Sequence, residues 1–87
     1  MLTVTPGAGV RLLRKLARKG ATDEMAMRFT RRTDGWRLRA DHARPADTAI
    51  THEGRIVLLL DQVVSQAMAD MTLDIRNTKS GPRLALR

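Results

Sequence analysis

Cysteine is absent from this 87-residue chain. Neither a disulfide nor a thiolate metal site can reinforce the fold, and the redox compartment cannot be read from cysteine usage. Tyrosine is also missing, and the aromatic side chains amount to one Phe and one Trp, so Leu, Val, Ile and five Met must fill the interior. The longest apolar run, Ile56 to Leu60, is far below the roughly 20 residues that span a bilayer. The first residues lack the apolar stretch of a secretory signal. These absences predict a soluble, cytoplasmic protein with no membrane partner. No nucleophile stands beside a base at a recognisable spacing, so the expectation is a protein that is not an enzyme and carries no cofactor.

What is present is positive charge, and it is confined to one half. Residues 1–44 hold eleven Lys/Arg against four Asp/Glu, whereas residues 45–87 hold five against five, so the net +7 belongs to the first half. A surplus segregated in this way points to a positive face that attracts an anionic partner. Hydrophobic content of 43% is adequate for a folded domain, and the length allows one domain with a small core.

Local patterns place the elements. Leu2-Thr3-Val4 is β-prone, Thr5 suits an N-cap and Pro6 a first helical residue. The following helix should carry Val10, Leu12, Leu13, Leu16 and Ala17 inward and Arg11, Arg14, Lys15, Arg18 and Lys19 outward, ending at Gly20. From Met25 the period becomes two. A hairpin turning at Asp34-Gly35 would send Met25, Met27, Phe29, Trp36, Leu38 and Ala40 to one face. The other face would then pair Arg28 with Asp41, Thr30 with Arg39 and Arg32 with Arg37. After a loop from His42 to Asp47, two strands are expected at Thr48–Thr51 and Arg55–Leu60, turning at Glu53-Gly54. Asp61 should cap a helix carrying Val63, Val64, Ala67, Met68 and Met71 inward. Thr72–Arg76 and Arg83–Leu86 close the chain as strands around Lys79-Ser80-Gly81-Pro82. The sum is a single α+β domain over residues 1–87: a small bent β-sheet or two-sheet sandwich of about six or seven strands with two helices.

Several of these segments are similar to one known family. Thr3-Val4-Thr5-Pro6 with Ala8, Arg44-Pro45-Ala46-Asp47, Gly54, Val57-Leu58-Leu59-Leu60-Asp61, Thr72-Leu73-Asp74 and Ser80-Gly81 resemble the HesB-like family of A-type iron–sulfur cluster carriers. The resemblance implies a HesB-like fold. It would also imply cluster carriage through one cysteine in the first hairpin and two in a C-terminal tail. Here the hairpin reads Arg31-Arg32-Thr33-Asp34-Gly35-Trp36 and no cysteine exists, so the chain resembles a degenerate member lacking every cluster ligand.

The candidate binding residues are therefore cationic: Arg11, Arg14, Lys15, Arg18, Arg28, Arg32, Arg37 and Arg39, acting as donors to carboxylate or phosphate. An acidic protein partner or self-association is expected, with sequence-independent nucleic-acid binding and an accessory role in iron–sulfur assembly as alternatives. Both aromatics fall on the predicted core face, which leaves single-stranded nucleic acid without a stacking platform. His42 and His52 each adjoin a carboxylate but read as surface loop residues, and no metal site is expected. Met25, Met27, Met68 and Met71 fall on inward phases and read as core filling.

Overall fold

Thr5 sets the start of the first helix. Its backbone is extended and its hydroxyl oxygen accepts from the Ala8 N–H at 3.3 Å, satisfying one of the donors that a helix N-terminus leaves free. In a computed structural model describing Met1–Arg87, this helix, α1, spans Pro6–Arg18 and follows the short strand β1 (Thr3–Val4). Its C-terminus closes as a Schellman motif: the Ala21 N–H reaches Leu16 O, the Gly20 N–H reaches Ala17 O, and Gly20 takes the left-handed φ of 65°.

The helix buries Ala8, Gly9, Leu12 and Leu16, a stripe rotated from the expected one. Val10 is 44% exposed and Ala17 is exposed, while Arg11 and Lys15 are half-buried. At 100° per residue Val10 lies about 160° from Leu12, but Lys15 lies only about 60° away. Because α1 touches strands of both sheets, its flanks as well as its centre are covered.

Seven strands form two sheets. β2 (Met25–Arg32), β3 (Gly35–His42), β4 (Thr48–His52) and β5 (Arg55–Leu60) give the order β3-β2-β5-β4; β6 (Thr72–Thr78) and β7 (Gly81–Leu86) join the first strand as β1-β6-β7. A second helix, α2 (Gln62–Ala67), connects β5 to β6. The core lies between the sheets and α1, with Leu12, Leu16, Met27, Leu58, Leu60, Met68 and Leu73 at its centre.

The β2–β3 hairpin forms, displaced by two residues from the expected register. Phe29 pairs with Leu38 and Arg32 with Gly35, so Thr33 and Asp34 are the turn residues. A type I′ turn needs positive φ at both central positions, and Glu53 is the one non-glycine residue that has it. Gly35, at φ 129°, instead takes the unusual backbone where β3 begins. Since the displacement is even, every side chain keeps its expected face. Arg32 no longer opposes Arg37, and Trp36 opposes Arg31, whose guanidinium sits 5.5 Å from the ring centroid.

Elsewhere the turns are as expected or shorter. Glu53 and Gly54, at φ 52° and 81°, join β4 to β5 with His52 opposite Arg55, the geometry of a type I′ turn. A bulge at Val57 on β5, between the Ile50–Leu58 and Thr51–Ile56 pairs, lets both Val57 and Leu58 enter the core. β6 and β7 extend to Thr78 and Gly81, leaving a two-residue turn. In α2 only Val64 is buried, joined by Met68 at the C-cap; beyond it Met71 is half-buried, while Ala67 is exposed and Val63 is 75% exposed. A helix of six residues and its C-cap present one i, i+4 pair, Val64 and Met68, to the core rather than a broad face.

Candidate functional site

Arg28 does not reach the outer surface. It is 3% exposed, and its guanidinium meets Asp47 through two nitrogens, Asp41 Oδ2 through Nε at 2.9 Å, and the His42 carbonyl at 3.1 Å. Asp41 is the diagonal neighbour, since the residue directly opposite is Arg39. The Arg28 hydrogen bond holds the Asp47 carboxyl below its ordinary range, joined by the Arg44 backbone N–H. The Asp41 carboxyl is lowered first by the His42 N–H, then by Arg28. Four of the five N–H donors of Arg28 are committed internally, so its assignment to an anion-binding surface is corrected: Arg28 anchors the 43–47 loop to the sheet.

The other seven candidates divide into separate groups because the four-stranded sheet stands between them. Met27 and Phe29 face the core with Leu12 and Leu16 of α1, so the alternate residues Thr30 and Arg32 of β2, and Arg37 and Arg39 of β3, face the opposite side. There Thr30, Arg32, Arg37 and Arg39 line a shallow pocket with Asp34, which pairs with Arg37 at 2.6 Å. Arg14 and Arg18 are exposed on α1. Arg14 and Arg18 therefore do not share a face with Arg32 and Arg39, while Arg37, on the edge strand, borders both this pocket and the cleft that holds Arg11 and Lys15.

Arg11 and Lys15 belong to a third group. A cleft of about 770 Å³ opens between β3 and β7, the edge strands of the two sheets. α1 contributes Arg11 and Lys15, β3 contributes Trp36, Arg37 and Leu38, and β7 contributes Pro82, Arg83, Leu84 and Leu86; Phe29, Leu73 and Ser80 complete it. No carboxylate lines this cleft. Burial lowers the Lys15 pKa from its ordinary value, and the nearby cations Arg11, Lys19, Arg18 and Arg83 lower it further. The Nε of Arg11 is shielded from water and has no hydrogen-bond partner. Phe29 and Trp36 meet edge to face, 6.2 Å between centroids.

Sequence reasoning missed Arg83, because its proximity to Lys15 depends on how the two sheets close over α1. It also missed Asp47 as a partner for Arg28. The histidines stay apart: His42 ends β3 and His52 ends β4, the two edges of one sheet, about 14 Å apart at three strand spacings. No cluster of three His, Asp or Glu side chains is placed to hold a metal ion.

With this geometry the chain can be compared with solved structures. Escherichia coli SufA, described as involved in biosynthesis of iron–sulfur clusters, superposes with a TM-score of 0.71 at 20% identity, over 99% of this chain and 83% of SufA. The fold is that of SufA. IscA, solved with a [2Fe-2S] cluster, superposes with a TM-score of 0.64 at 15% identity, over 100% of this chain and 84% of IscA. No family model and no curated protein matches the chain by sequence. The shared architecture is the HesB-like α+β fold expected from the sequence. The residues present do not fit an iron–sulfur cluster, which takes thiolate ligands that this cysteine-free chain does not supply.

Proposed function

We propose that this protein is a non-catalytic, SufA-like domain that docks an anionic macromolecule, foremost an acidic protein surface, through the cations of α1. One observation carries this reading: Arg11, Arg14, Lys15, Arg18 and Lys19 crowd a single helix and none of them has an acidic partner within the chain, whereas Arg28 is held by two carboxylates and Arg37, Arg44, Arg55 and Arg87 by one each. Unpaired cations at this density repel one another and gain most from an external anion. The exposed Arg32 and Arg39 offer a second, separate contact on the far side of the sheet. Both aromatics lie toward the inner face, so stacking on single-stranded nucleic acid has no platform there.

The likeness to SufA and IscA favours an accessory place in iron–sulfur assembly as the second reading. In that role this chain contributes no cluster ligand. Incubation with ferrous iron and sulfide should then give no visible absorbance beyond a protein-free control, and a coloured monomer would overturn it.

Titration with poly-glutamate and with a mixed-sequence oligonucleotide tests docking. Poly-glutamate should bind at low salt, weaken steeply as salt rises, and bind poorly to an Arg14→Gln/Arg18→Gln variant. Tighter binding of the oligonucleotide would move the reading to nucleic acid, and binding to neither would end it.

A further inference from the structure

The cleft between β3 and β7 has walls of two kinds. Arg11, Lys15 and Arg83 supply positive charge with no acidic partner, and Trp36, Leu38 and Leu84 supply apolar surface. Its volume of about 770 Å³ falls in the range of small-molecule sites, and six of its twelve lining residues are hydrophobic. Trp36, Leu38 and Leu84 are only half-buried, so apolar surface remains to be covered. The shielded Arg11 Nε lacks an acceptor.

Neither a bare anion nor a neutral apolar molecule suits both walls. An inorganic ion would leave the leucines and Trp36 in water, and a neutral hydrocarbon would bury the cations' surroundings without a counter-charge. We propose that this cleft binds a free amphiphilic organic anion, its phosphate or carboxylate head on Arg11, Lys15 and Arg83 and its apolar body against Trp36, Leu38 and Leu84. This goes beyond the docking surface, which shares Arg11 and Lys15 with the cleft, since Arg14 and Arg18 do not line the cleft and its Arg83 and apolar wall belong to other elements.

Trp36 is the one Trp and the chain has no Tyr, so tryptophan fluorescence reports directly on the cleft. Four probes separate the possibilities: octyl phosphate below its micelle concentration, inorganic phosphate, octyl glucoside, and phosphatidic acid vesicles. Octyl phosphate should perturb Trp36 saturably with one-to-one stoichiometry, at least about tenfold tighter than inorganic phosphate or octyl glucoside. Lys15→Gln/Arg83→Gln, confirmed folded by circular dichroism, should weaken it by about tenfold or more, and Arg44→Gln, which removes a cation outside the cleft, should leave it unchanged. Equal binding of inorganic phosphate, equal binding of octyl glucoside, a response confined to vesicles, or indifference to the Lys15/Arg83 variant would each overturn the proposal. Retained octyl phosphate binding alongside absent poly-glutamate binding would remove the docking reading and keep this one.

Discussion

Arg28 and Asp47 form a two-point ion pair with both side chains only 4% exposed. The pair ties the sheet to the loop that leads into β4, and Arg44 adds its backbone N–H to Asp47 at 2.7 Å. A charge from the basic half of the chain is thereby used for architecture. Removing one partner would strand the other in a poorly solvated place, which costs more than the pair itself contributes.

Asp47→Ala should therefore destabilise the protein by about 3 kcal/mol, read as a lower midpoint in urea unfolding. The double change Arg28→Met/Asp47→Leu should recover much of that loss, because no unpaired charge remains. A loss below about 1 kcal/mol for Asp47→Ala, the range of an exposed pair, would show that water reaches this site.

Acid should unfold the protein through the same group. Asp47, Asp41 and Asp74 all have carboxyls lowered from the ordinary value of 3.8, by the Arg28 hydrogen bond, the His42 N–H and the Ile75 N–H respectively as the largest causes. Lowered folded-state values contribute stability that is complete above the unfolded value and lost as pH falls through the folded ones. Urea midpoints should be flat from about pH 7 to about pH 5 and fall below about pH 4. Asp47→Asn should flatten that acid slope, and an unchanged slope would exclude this carboxylate as a source.

Gly9 sits mid-helix, where Ala is ordinarily better by about 1 kcal/mol. Here a Cβ would meet the His52 ring at 2.4 Å from Nδ1 and 2.6 Å from Cγ. Gly9→Ala should destabilise by about 1–3 kcal/mol through overpacking. The double variant Gly9→Ala/His52→Ala should regain stability relative to Gly9→Ala. Thermal unfolding of the four species of this cycle checks the coupling.

Glu53 occupies the left-handed region at φ 52°, which asparagine tolerates better than glutamate. Glu53→Asn would create Asn-Gly, the preferred pair for a type I′ turn. It should raise stability by up to about 1 kcal/mol, measured as a higher urea midpoint. No increase would mean that the Glu53 side chain makes a compensating contact.

The hairpin illustrates how far local reasoning reaches. Alternation from Met25 onward assigned Phe29, Trp36 and Leu38 to the inner face correctly, because a strand's period of two survives any even displacement. The turn residue pair was misplaced, since Gly35 takes its unusual backbone within β3 rather than in the turn. Leu12 and Leu16 were legible as core in the same way. Lys15 was not, because a polar residue on the flank of an apolar stripe becomes buried only when a second sheet closes over it.

The amino-acid order alone determined the sequence of elements, the caps at Thr5 and Asp61, the inward phases of the strands and the lack of any thiolate. Each depends on residues within a few positions of one another. Only tertiary structure decided that Arg28 would be enclosed by Asp47, 19 residues away, and that Arg32 and Arg39 would lie across a sheet from Arg14 and Arg18. It also brought β3 and β7 to opposite walls of one cleft. Charge carries no periodic signature of burial, so its use is settled by which distant segments the packed sheets bring alongside it.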